Sequence, residues 1–254
     1  MAAYFNGANV NVAGGTLNIA RGGGSHFSLS STSTSSLSSG AINNTGDFYL
    51  GYTAGGNGTL NQSGGTMGVT SVFYVGGDTG FGHFNQSGGS LTVGSSLGVA
   101  AGGGSLKVNG TVTAANVFIG ANSSLAGNGT ITLTGGGNLD LNADAKFVFS
   151  LTDTLTANGG LVSFGGLKIT DLIGLDNTVA TGTYTLLGGT STFNFANVSN
   201  FGAANAYDLG AGKSAYFQAG SLQVVVVPEP STWALLGVSM AGGLIMFRRR
   251  KLVA

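Results

Sequence analysis

Between Phe48 and Gly136 the chain repeats itself every 22 to 25 residues, and that period constrains its fold more than any other feature. "FYLGYTAGGNGTLNQSGGTMGV" (Phe48 to Val69) is followed by "FYVGGDTGFGHFNQSGGSLTV" (Phe73 to Val93). "LGVAAGGGSLKVNGTV" from Leu97 and "IGANSSLAGNGTITLTGG" from Ile119 continue the series. One column, Leu50, Val75, Leu97 and Ile119, has spacings of 25, 22 and 22 beside Gly51, Gly76, Gly98 and Gly120. A second, Leu60, Phe84, Leu106 and Ile131, has spacings of 24, 22 and 25. Short β-type runs at this period predict one coil of a parallel β-helix per repeat. Three short strands and three turns use roughly two dozen residues, and coils stack at the strand spacing of about 4.8 Å. Equivalent residues then form ladders. Leu60, Phe84, Leu106 and Ile131 are expected to point inward together. Ser63, Ser87, Asn109 and Thr134, each before a glycine, are expected to form a polar corner ladder. Right-handed coiling is the expectation for parallel crossovers.

The period fades near Leu139, where longer alternating runs such as "LDLNADAKFVFSL" and "KSAYFQAGSLQVVVV" begin. The expected organisation is β-helix repeats over 1–138, a β-rich C-terminal cap over 139–227 that covers the open solenoid end, and a distinct tail over 228–254. "NVAGGTLNIA" (Asn11 to Ala20) reads as a weaker early copy. "SLSSTSTSSLSS" (Ser28 to Ser39) is low-complexity, and reads as a linker, a glycosylated stretch or an extra coil.

The tail differs in composition from everything before it. It holds both prolines of the chain, Pro228 and Pro230, and four of its nine Lys and Arg, the run Arg248, Arg249, Arg250 and Lys251. Outside that basic run the chain carries five basic residues against nine acids and is mildly acidic. Nucleic-acid binding needs clustered Lys and Arg, and is not expected. Ser231 to Phe247 carries no charge and predicts one short transmembrane helix over 231–247, with the basic run on the cytoplasmic side.

"VPEPSTWALLGVSMAGGLIMFRRRK" resembles the C-terminal sorting signal of PEP-CTERM proteins, which joins a Pro-Glu-Pro motif, a short membrane helix and a basic cluster. The resemblance implies export, an inner-membrane-anchored precursor, recognition by an exosortase-type membrane enzyme, cleavage near Pro228, Glu229 and Pro230, and a mature protein at the cell surface or outside it. Exopolysaccharide is the candidate associate it suggests. The opening "MAAYFNGANVNVAGG" has no basic n-region or apolar h-region and reads as the middle of a coil, so an upstream signal peptide is expected. The repeats also resemble autotransporter passenger repeats.

Polysaccharide lyases and glycosidases use β-helices too, and a glycosidase needs two carboxylates about 5 to 9.5 Å apart. Asp47 and Asp78 occupy different places in their repeats, and no pair assembles from the sequence. His26 and His83 are the only histidines and read as turn or surface residues. Asp140, Asn142 and Asp144 alternate as in an EF-hand loop, but Ala145 and Leu151 stand where Gly and Glu are needed. There is no Cys. The expectation is a non-enzymatic surface or matrix protein without metal or cofactor; a β-helix enzyme or a glycan-binding adhesin is the alternative.

Overall fold

The computed structural model describes residues 3–6, 8–20, 26–30, 32–77 and 79–229. It is an all-β parallel solenoid with three faces per turn. The first face is a nine-stranded sheet running from Ala3–Asn6 through Asp47–Leu50, Phe73–Val75, Ser96–Val99 and Asn116–Ile119 to Thr192–Asn194. The second face stacks Asn57–Gln62, Phe81–Gln86, Ser105–Val108 and Ser124–Ala126. The third stacks Thr66–Val69, Ser90–Val93, Thr111–Ala114 and Thr130–Leu133. Among the described residues there is no α-helix, only two single 3-10 turns, Ile169–Asp171 and Ala203–Asn205.

Most strands of the coils alternate in the way a half-buried strand must. In Asp47–Leu50 the buried residues are Phe48 and Leu50, and in Thr66–Val69 they are Met67 and Val69. Parallel stacking then sets like on like. Phe27, Phe48 and Phe73 follow one another with ring centroids 5.1 and 5.0 Å apart, and Leu97, Val117 and Leu139 continue the column. Phe73 meets Phe84 of the second face edge-on at 5.4 Å, closing the lumen. The corner after the first face is so tight that a Cβ on Gly51 would lie 1.7 Å from the Phe81 carbonyl oxygen. Gly51 also has φ +70, a conformation that costs glycine little.

Register corrects three of the sequence columns. Leu50 and Val75 are followed by Val99, not Leu97, and then by Ile119. Leu97 stacks on Phe73 instead, two residues earlier. Leu60, Phe84 and Leu106 do form one inward ladder, but its next member is Leu125; Ile131 lies on the third face above Val112. Thr134 likewise leaves the polar corner formed by Ser63, Ser87 and Asn109. Its N–H donates to the Ala114 carbonyl, while the Asn128 N–H meets the Asn109 side chain. Turn lengths vary, with Phe73, Leu97, Val117, Leu139 and Val162 stacked at separations of 24, 20, 22 and 23 residues, so constant spacing and true register part company.

The early copy at Asn11–Ile19 is a real strand, stacked against Ser33–Asn44, which takes in the second half of the serine-rich stretch Ser28 to Ser39. That stretch is therefore an extra coil, with Leu37 and Ile42 buried. Parallel stacking also continues past residue 139: Leu139 pairs with Val162, and Val162 with Phe193. The end is closed by antiparallel strands in the order Gly182–Gly188, Leu222–Pro228, Lys213–Gln218 and Tyr207–Gly210.

Between the second and third faces runs a buried amide ladder. The Gln86 side-chain amide donates to Gln62 Oε1 (3.2 Å) and to the carbonyls of Thr111 (3.1 Å) and Gly89 (3.4 Å). Both glutamines are fully buried. Gln86→Leu keeps the bulk but orphans these acceptors, and is expected to cost about 3 kcal/mol in denaturant unfolding. Asn85→Ala removes the outward bond to Asn61 Oδ1, which water can replace, and is expected to cost less than about 0.5 kcal/mol. Equal effects of the two substitutions would contradict this assignment.

Candidate functional site

Two regions are candidates. The first is the junction of the cap with the tail. Leu222–Pro228 is an interior strand of the cap, paired on one side from Gly182 to Leu187 and on the other from Lys213 to Gln218. Its last residue, Pro228, lies opposite Lys213 and is exposed. Proline has no N–H to donate, so it suits the end of a strand. Beyond it the Glu229 N–H still donates to the Gly212 carbonyl, 2.8 Å away. A hydrogen bond with Asp208 and the negative charge of Asp208 hold the Glu229 carboxyl above its usual range. The folded chain thus keeps this proton to higher pH than the unfolded one. The contribution is present below the unfolded-state titration and is lost as pH rises through the folded-state one. Pro230, the apolar span 231–247 and Arg248, Arg249, Arg250 and Lys251 lie outside the described residues. Among the described residues no helix is long and apolar enough to cross a membrane.

The second region is a slot on the outer side of the first face, and sequence reasoning missed it. Outward positions of successive strands carry Tyr49, Tyr74, Gly98 and Phe118, in register. Tyr49 and Tyr74 are stacked, with centroids 5.0 Å apart and planes 18° from parallel. Tyr52 meets Tyr49 edge-on at 4.6 Å, and its ring fills the place a Cβ on Gly77 would take. Gly98 then interrupts the aromatic column, and Phe118 resumes it one strand later. The gap is the floor of a slot of about 370 Å³ walled by Tyr74 and Phe118. Tyr74 and Phe118 are 38% and 39% exposed and give the slot apolar walls. The signal was present in "FYL", "FYV", "LGV" and "VFI", but only the corrected register aligns their middle residues.

The carboxylates of the described residues are dispersed. Asp171 is fully buried and takes Lys146 Nζ at 2.7 Å and the Lys168 N–H at 3.1 Å. Asp144 pairs with Lys168 at 3.0 Å, which holds its carboxyl below the usual range. Asp140 accepts the Ser163 hydroxyl, so Asp140 and Asp144 serve different partners and no EF-hand-like set forms. Asp47 accepts the Val72 N–H, and Asp176 caps Thr178. His83 Nδ1 lies 2.8 Å from the Ser105 hydroxyl; the His26 side chain and Asp78 lie outside the described residues. Among the described residues no group of three or more acids and histidines could hold a metal.

The last cap strand of the stacked β-solenoid ends at Pro228, inside the segment that carries the Pro-Glu-Pro motif. Residues 226–251 match the PEP-CTERM protein-sorting motif. The match begins inside the cap strand, at Val226, and ends at Lys251. The motif implies a secreted, envelope-sorted protein processed by an exosortase. No curated protein and no solved structure matches the chain.

Proposed function

We propose that this protein is a non-enzymatic structural component of the cell surface or extracellular matrix, delivered as a membrane-anchored precursor and released by cleavage near Pro228 to Pro230. The observation that carries this reading is the junction: the sorting motif starts in the strand that completes the cap. The last cap strand therefore overlaps the start of the motif, and a cut beyond Pro228 leaves every cap pairing of Val224 and Val226 in place. Pro228 ends the strand, and two prolines flanking Glu229 in the sequence disfavour a helix and favour extended backbone, the state a processing cleft requires. The expected 17-residue span over 231–247 and the basic run would hold that segment at the membrane surface.

The employment of the acids supports a structural role. Asp47, Asp140, Asp144, Asp171 and Asp176 each hold a backbone or side-chain partner of the scaffold. The pair Asp208 and Glu229 sits on the exposed edge of the cap, within or beside the sorting segment. The autotransporter-like character of the repeats and an exopolysaccharide associate belong to this reading as proposals. A polysaccharide-active enzyme is the competing reading, and release of reducing or unsaturated ends from a polysaccharide, lost on substitution of one Asp, would favour it.

Processing is tested by mass spectrometry of the C-terminal peptide. In exosortase-containing cells the mature chain is expected to lack Arg248 to Lys251. Pro228→Ala with Pro230→Ala is expected to abolish cleavage while leaving the precursor in the membrane. An intact Ala254 end, unchanged by deletion of the exosortase, would leave only a permanent anchor.

A further inference from the structure

We propose that the slot over Gly98 binds one ring of a neutral glycan chain. The argument is independent of the sorting tail and rests on the aromatic column. Neighbouring strands lie about 4.8 Å apart, so Tyr74 and Phe118 are separated by about 9.6 Å along the stack. One aromatic position is missing between them, at Gly98. The stacked pair Tyr49 and Tyr74 shows the local ring spacing, 5.0 Å. A six-membered ring centred over Gly98 would therefore lie at about that distance from both walls, inside the roughly 4.5–7 Å range in which ring faces attract.

The lining selects the kind of ring. An aromatic face is electron-rich and attracts polarised C–H groups. A pyranose presents such C–H groups on its faces and hydroxyls around its edge. Among the described residues lining the slot, none is charged, which disfavours an acidic sugar needing a cationic partner. The volume, about 370 Å³, falls in the roughly 300–1,000 Å³ range of ligand sites. The slot also opens on the long outer side of a sheet rather than into an enclosed cavity. A chain can lie across it, with one residue between Tyr74 and Phe118 and an adjoining one against Tyr49 and Tyr52.

Glycine is the reason the slot exists, and it supplies the test. Gly98 lies in a regular strand, and a Cβ there would sit 3.5 Å from Tyr74 Cδ1, an ordinary contact. Gly98→Tyr should therefore complete the aromatic column and plug the slot without straining the backbone. The full chain is titrated by calorimetry with neutral hexasaccharides of β-1,4-linked and α-1,4-linked glucose, with methyl glucoside, with alginate and with adenosine. Expected is saturable binding of at least one hexasaccharide, weaker binding of methyl glucoside, and none of alginate. Gly98→Tyr and Tyr74→Ala are each expected to weaken it roughly tenfold or more, with Asp140→Asn unchanged. Should Gly98→Tyr fail to fold, Phe118→Ala, at an outward position, takes its place. The proposal is overturned if neither hexasaccharide binds, if adenosine binds and the hexasaccharides do not, or if the slot variants bind like the parent chain. None of these results bears on processing of the tail, so the two readings fail separately.

Discussion

A chain ending at Glu229 is expected to keep its cap, whereas one ending at Ser221 is expected to lose it. The shorter chain lacks Leu222–Pro228, the strand held between Gly182–Gly188 and Lys213–Gln218. Leu222, Val224 and Val226 are at most 1% exposed. Burying each is worth about 1.5–3 kcal/mol, so their removal approaches the whole of an ordinary domain's stability, about 5–15 kcal/mol. It also leaves two sheet edges unpaired. Amide exchange is the measurement: protection of 182–188 and 213–218 should persist in the chain ending at Glu229 and vanish in the one ending at Ser221. Persistence in both would show that the strand is dispensable, and that processing could cut well inside it without harm.

Phe84→Ala is expected to cost about 3–5 kcal/mol, the range for emptying a packed aromatic site. Phe84 is fully buried between Leu60 and Leu106 and is edge-on to Phe73. A solenoid has no alternative core to move into, because each turn touches only its neighbours. The adjacent His83 points outward, half-buried, with its ring near Ser105. His83→Ala is expected to cost less than about 1 kcal/mol. Denaturant unfolding of the two variants separates inward from outward positions on one strand. Comparable costs would mean that the second face is registered differently.

The solenoid was legible because a parallel stack asks for the same kind of residue at the same place in every turn. Phe48 and Phe73, or Gln62 and Gln86, repeat as letters because they touch as side chains. The low-complexity serine stretch hid its coil for the opposite reason. Its inward residues, Ser33, Ser35 and Leu37, are mostly small and polar, so composition did not mark them as core. The cap was recognised as β-rich, yet its pairing joins Gly182–Gly188 to Leu222–Pro228 across some forty residues, a separation no local pattern encodes.

The sequence by itself determined the period, the apolar interior and the sorting tail. The first two follow from alternation and stacking, which are local rules repeated, and the third is a linear segment that a processing enzyme reads as such. Register was decided only in the folded chain. Corners differ in length from turn to turn, so Val75, Val99 and Ile119 are neighbours at separations of 24 and 20 residues, and equal spacing misplaced Leu97 and Ile131. That shift of two residues is what concealed the slot, since Tyr74, Gly98 and Phe118 share a column only once Leu97 stacks on Phe73. The pairing of Lys146 with the buried Asp171, 25 residues apart, has the same origin. Contacts along the axis join residues one turn apart, and the length of each turn is set by how its corner closes.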